Sequence, residues 1–122
     1  FAVPGAFTPT CSRAHLPGYV VKADELLAKG VDQIACLSVN DPFVMEAWGK
    51  QQNAEDRIQM IADPDGEFTR AVGLEMDLSA RGLGRRSRRY AMVIDDGVVT
   101  QLNVEEGGKL EVSDADSMLQ AL

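Results

Sequence analysis

Phe1-Ala2-Val3-Pro4-Gly5-Ala6-Phe7-Thr8-Pro9-Thr10-Cys11-Ser12 opens the chain, and the rest is read outward from it. Phe1 to Val3 has the apolar character of the end of a buried strand. Pro4-Gly5 stops that strand, because proline has no N–H for a ladder and glycine accepts turn geometries. From about Cys11 to Lys29 the spacing predicts a helix bent near Pro17-Gly18, with Val20, Val21, Leu26 and Leu27 on its apolar face. Gly30 ends it. A cysteine is thereby set at the start of a helix that follows a strand. Unpaired N–H groups and the helix dipole favour an anion there. A free thiol titrates near about 8.5, so only a thiol tuned downward is mostly thiolate at neutral pH.

Beyond Gly30, Val31 to Val39 is a short apolar run of the kind buried on both faces of a sheet. Asn40-Asp41 caps a second helix that runs to about Gln51 and carries Phe43, Val44, Ala47 and Trp48. Ile58 to Ala62 is a further strand, Asp63-Pro64-Asp65-Gly66 a turn, and Glu67 to Val72 a short helix. Gly73 to Ser87 reads as irregular. Arg89 to Ile94 and Val98 to Val104 flank Asp95-Asp96-Gly97 as a hairpin. Glu105-Glu106-Gly107-Gly108 is a loop, and Ser113-Asp114 caps a last helix. Alternating elements followed by a hairpin predict an α/β fold, a mixed central sheet flanked by helices. The order is similar to that of thioredoxin-like folds.

Composition narrows the function. The 122 residues suffice for one domain with one core. Nineteen acidic against twelve basic side chains leave a net charge of -7, which argues against nucleic-acid or anionic-membrane partners. No apolar run approaches the roughly 20 residues of a membrane span. Two cysteines and one histidine are too few for a structural zinc site or a disulfide scaffold. The positive charge is concentrated in Arg81, Arg85, Arg86, Arg88 and Arg89. Most of these read as a solvated basic loop. Arg89 stands apart because it opens a strand, where a side chain is held firmly enough to aim a guanidinium at a thiolate.

With these residues in place, the chain resembles the peroxiredoxins. Pro4, Thr8 and Cys11 fill the signature Pro-x-x-x-Thr-x-x-Cys. The whole phrase Pro4 to Ser12 looks like the type-5 (plant type II) subfamily. So do Ala35-Cys36-Leu37-Ser38-Val39-Asn40-Asp41-Pro42-Phe43-Val44, Ala62-Asp63-Pro64, and Arg89-Tyr90 before Met92-Val93. The resemblance implies a thioredoxin-like peroxiredoxin domain over residues 1–122 whose N-terminal strands precede Phe1. It implies a thiol peroxidase that reduces hydrogen peroxide and alkyl hydroperoxides. Cys11 would be the peroxidatic cysteine, passing through a sulfenic acid. Thr8 would hydrogen-bond the peroxide, Arg89 would stabilise the thiolate and the charge on the breaking O–O bond, and Pro4 would cover the sulfur. No metal or organic cofactor is implied.

Cys36 falls mid-strand in an apolar run and reads as a buried, inert thiol. Animal members of the subfamily carry a further cysteine near the C-terminal loop. Here Gly107 to Ser113 contains none. The resemblance therefore implies an external reductant, glutathione with glutaredoxin. Some hybrid members carry a fused glutaredoxin domain, which would follow Leu122. A homodimer is implied, and a cytoplasmic location is the expectation, an organellar one the alternative. Two other readings use the same cysteine: a redox sensor passing its oxidation to a client, and a thioredoxin-like disulfide reductase. The reductase reading lacks its second thiol, since Thr8 occupies the first position of a Cys-x-x-Cys motif. His15, four residues after Cys11, shares its helix face and reads as a packing or surface histidine, with tuning of the thiol as the alternative. Trp48 reads as core, and Tyr90 as a residue packed beside the site.

Overall fold

A computed structural model describes residues 1–122. Strand β1 (Ala2–Val3) lies at the centre of a five-stranded sheet. Beside it runs β2 (Ile34–Ser38), then β3 (Ile58–Ala62), both parallel to it. On its other side the antiparallel hairpin of β6 (Tyr90–Asp95) and β7 (Val98–Val104) forms the edge. The mixed sheet with a closing antiparallel pair is the predicted one. Asp96 and Gly97 both take positive φ, 50° and 79°, which is the turn that matches the twist of two hairpin strands. Thr100 is the extra residue of a bulge opposite Val93 and Ile94.

Alternation along the strands divides the apolar side chains between two clusters. Val3, Ile34, Cys36, Ile58 and Ala91 join the larger cluster. They pack with Leu16, Tyr19, Ala23 and Leu26 of α1 (Leu16–Ala28), Met45 and Trp48 of α2 (Pro42–Gln51), and Ala115 and Met118 of α4 (Ala115–Ala121). Ala2 and Tyr90 join the smaller cluster with Leu74, which follows α3 (Glu67–Ala71). Tyr90 is therefore not beside Cys11, which belongs to the larger cluster; strand parity turns Tyr90 to the other face. No helix is long and apolar enough to cross a membrane.

Three local readings change. The strand read over Val31 to Val39 is shorter, Ile34–Ser38. The stretch read as irregular contains a two-stranded antiparallel sheet, β4 (Glu75–Asp77) with β5 (Arg85–Ser87). Its charged residues hid the strands from a hydrophobic pattern, and Glu75 holds them through Arg85 at 3.1 Å and Arg70 at 3.4 Å. The helix expected from Cys11 begins instead with a π turn, Cys11–His15. Pro17 is the second residue of α1, which continues directly from the π turn, so its missing N–H interrupts the helical ladder at that junction.

Trp48 ties α2 to this π turn. It is fully buried, and its indole N–H donates to Ser12 Oγ at 3.0 Å. Trp48→Ala is expected to cost about 3–5 kcal/mol, because a large cavity opens beneath the π turn. Urea denaturation of the two proteins measures this.

Candidate active site

The loop from Pro4 to Thr10 carries the signature residues, and its shape follows from its contacts. Asn40 Oδ1 accepts from the Ala6 N–H at 3.0 Å and from Ser38 Oγ at 2.6 Å, pinning the loop to the end of β2. Phe7 has φ of 64°, unusual for a side chain of its size. Its ring lies 6.4 Å from that of Trp48. Gly5 is required by close approach: a Cβ there would lie 3.0 Å from Thr8 Cγ2. The Thr8 hydroxyl donates to the Gly5 carbonyl at 2.6 Å. That bond uses its hydrogen and leaves its lone pairs to accept from a bound molecule. Pro4 follows β1 directly and is half-buried.

Cys11 is 1% exposed, at the first residue of the π turn. A π turn within a helix widens one turn by a residue and is frequent at functional sites. Arg89 immediately precedes β6 rather than opening it, and is itself buried. It shares strand parity with Ala91, so it reaches the cluster that contains Cys11. Its Nη2 donates to Cys11 Sγ at 3.3 Å. The two residues are 78 positions apart in sequence, and the structure brings them together as expected.

The second guanidinium arm reveals what the sequence reading missed. Arg89 Nη1 donates to His15 Nδ1 at 2.9 Å. Arginine only donates, so Nδ1 must be unprotonated. His15 Nε2 faces the Ser113 carbonyl at 3.0 Å, which only accepts, so Nε2 carries the hydrogen. The two partners set one neutral tautomer. Burial lowers the His15 pKa from 6.5 to about 3, the bond to the Ser113 carbonyl opposing this and the Arg89 charge adding to it. His15 is thus neither a surface residue nor simple packing. Its spacing of four from Cys11 was the available signal. The Tyr19 hydroxyl also donates to the Ser113 carbonyl, at 2.7 Å.

Behind Ser113 stands Glu105, buried in what read as a polar loop. Its Oε2 accepts from the N–H groups of Glu111, Val112 and Ser113 at 2.9, 2.8 and 2.7 Å, and from Ser113 Oγ at 2.7 Å. Burial pushes its carboxyl up, but these bonds outweigh it and the carboxyl lies below its ordinary range. Nothing in the sequence marks this residue, because its partners are backbone groups.

The remaining arginines divide. Arg81 is exposed, as a solvated loop requires, and Arg85 is exposed as well but lies in β5 and pairs with Glu75. Arg86 instead donates to the carbonyls of Leu83 at 2.8 Å and Val39 at 2.9 Å, and Arg88 to that of Glu105 at 3.3 Å. Cys36 is fully buried in β2, and burial pushes its thiol up to about 12. Both cysteines are free thiols.

These shifts carry a pH dependence. His15 has a lower pKa folded than unfolded, so the unfolded chain takes up the proton first. The stability this contributes is complete above about 6.5 and drains as pH falls toward about 3. Glu105 and Asp63, both held below their ordinary values, add to the loss at the acid end. Denaturation between neutral and acid pH is expected to show this slope. His15→Asn, which has no proton to take up, is expected to flatten its upper part.

Comparison with known proteins agrees with this geometry. The family model described as Redoxin matches residues 1–119. The chain is 57% identical over 122 residues to Peroxiredoxin-2B of Arabidopsis thaliana, covering all of this chain and 75% of that one. It is 59% identical over 124 residues to the chloroplastic Peroxiredoxin-2E of the same plant, covering 53% of that protein. Among solved structures, reduced Prx3 of Vibrio vulnificus in complex with hydrogen peroxide superposes with a TM-score of 0.95 at 65% identity. That match covers 98% of this chain and 76% of the other. A buried thiol faced by a guanidinium, on a thioredoxin-like sheet and within so long a match, makes this chain a member of the peroxiredoxin family, the thiol peroxidases of the redoxin group.

Proposed function

We propose that the peroxidase reaction runs through a sulfenic acid on Cys11 and that an external thiol, glutathione with glutaredoxin, completes the cycle. The observation that carries this is the Arg89 Nη2 to Cys11 Sγ contact. A guanidinium stays charged at all working pH values and favours the thiolate over the thiol. The thiolate attacks the terminal oxygen of a hydroperoxide in line with the O–O bond. The S–O bond forms as the O–O bond breaks; Cys11 becomes the sulfenic acid. The departing oxygen takes a proton and leaves as water or an alcohol.

Three features support this assignment of roles. Thr8 presents lone pairs to the peroxide O–H, because its own hydrogen is committed to Gly5. The Cys11 N–H stands at the helix start, where N–H groups lack intrahelical partners. Arg89 Nε is buried without a partner, an unused donor for an oxygen that gains charge as the bond breaks. The family resemblance gives Pro4, the half-buried residue after β1, the further role of covering the sulfur. The reading takes in both hydrogen peroxide and small alkyl hydroperoxides, since only the O–O unit needs these contacts.

The reductant follows from Cys36. Its thiol is enclosed in the core and protonated, unsuited to attack a sulfenic acid. In this reading an outside thiol attacks instead, forming a mixed disulfide and releasing water, and a second thiol then frees Cys11. Peroxide consumption with glutathione and glutaredoxin tests the whole reading. Cys11→Ser is expected to abolish it, Arg89→Gln to lower kcat/KM by about 100-fold, and Thr8→Val by about tenfold. Cys36→Ser is expected to retain most activity. Full activity in Cys11→Ser would sink the assignment, and complete loss in Cys36→Ser would point to an internal disulfide.

A homodimer belongs to the same reading. Phe43 is 82% exposed and Phe7 48%, large apolar side chains set close in sequence to the residues that shape the site. Sedimentation at rising concentration is expected to show a monomer–dimer equilibrium, weakened by Phe43→Ser; a monomer throughout would count against it.

A further inference from the structure

We propose that Glu105 is a positioning residue for the reacting thiol, acting on Cys11 through Ser113, His15 and Arg89 without touching the sulfur. The inference rests on the reading of Cys11 as the reacting thiol and deepens it.

Glu105 and Arg89 are neighbours across the end of the β6–β7 ladder, where the Glu105 N–H donates to the Arg89 carbonyl at 2.9 Å. Opposite charges so placed would ordinarily pair. Yet none of the salt bridges includes Arg89. The carboxylate turns instead to the Glu111–Ser113 backbone and the Ser113 hydroxyl, and the guanidinium turns to His15 and Cys11.

This separation has a chemical consequence. A carboxylate directly on Arg89 would neutralise the charge that the thiolate needs. A neutral imidazole holds one arm of the guanidinium in place and leaves its charge for the sulfur. The imidazole can do so only with Nδ1 bare. Glu105 secures that state by holding Ser113 through its N–H and its hydroxyl, and the carbonyl of the same residue receives the Nε2 hydrogen. Were that carbonyl to swing away, the proton could reside on Nδ1, and two donors would face each other at Arg89. The guanidinium would then turn from Cys11.

The test uses the full chain carrying Cys36→Ser, so that Cys11 is the only thiol. Its rate of alkylation by iodoacetamide is followed against pH, beside hydrogen peroxide consumption and the thermal midpoint. Glu105→Gln is expected to move the alkylation profile to higher pH, slowing alkylation about tenfold on its acid limb, which is a shift of one unit. His15→Leu is expected to do at least as much. In the His15→Leu background, Glu105→Gln is expected to add nothing, because the two act in series.

An unchanged alkylation profile in a Glu105→Gln protein of lowered thermal midpoint would overturn the proposal, leaving Glu105 as a loop clamp alone. Additive effects in the double variant would overturn the route through His15. If Glu105→Gln does not fold, Ser113→Ala removes one of the four donors, together with the hydroxyl's own 3.5 Å approach to His15 Nε2, and keeps the carbonyl. A smaller shift in the same direction then supports the proposal, and no shift overturns it. Alkylation reads the thiol directly, so peroxide turnover surviving in Cys11→Ser would refute the underlying reading and be seen as a separate failure.

Discussion

The contact between a buried guanidinium and a buried sulfur, Arg89 to Cys11, is the interaction on which the other features depend. A charge enclosed in a core is costly unless its donors are used or an opposite charge compensates it. Arg89 spends one arm on His15 and offers the other to Cys11. In the proposed reaction, the compensating charge would be a thiolate on Cys11. The same contact that uses a donor of the buried arginine thus sets a positive charge against the sulfur.

Holding that contact takes most of the fold. β1 is two residues long, yet it lies at the centre of the sheet and launches the loop that carries Thr8 and Cys11. Asn40 and Trp48 restrain this loop from two sides. Phe7 sits there at a positive φ, a strain of order 1–3 kcal/mol that the surrounding contacts must hold. On the opposite side, the hairpin delivers Arg89 at the correct parity, and the loop between β7 and α4 supplies Ser113. Four segments distant in sequence thus meet around one sulfur.

The two cysteines show how environment decides chemistry. Both are buried and free. Cys36 sits among apolar neighbours, and burial is the chief reason it holds its proton. Cys11 has a guanidinium at 3.3 Å and a helix start beneath it. Burial excludes water from both, but only Cys11 has a guanidinium in hydrogen-bond contact with its sulfur.

Much was legible in the sequence because it was local or periodic. The strand, turn and helix around Cys11, the Asp96-Gly97 hairpin and the Thr8–Cys11 spacing follow from short-range conformational preferences. The mixed sheet follows from the order of elements, and the isolation of Arg89 from its place at a strand boundary. The π turn, the charged strands β4 and β5, and the inward turn of Arg86 and Arg88 were not legible, because no apolar pattern marks them. Least visible of all was the succession Glu105, Ser113, His15, Arg89. Its links join residues as much as 98 positions apart, and Glu105 is bound mainly to backbone N–H groups that every sequence possesses. The sequence by itself determined which cysteine stands at a helix start and which lies in a strand. Only the tertiary structure decided which groups face that thiol and in what protonation state, because hydrogen-bond partners and burial are set by chain segments meeting in space.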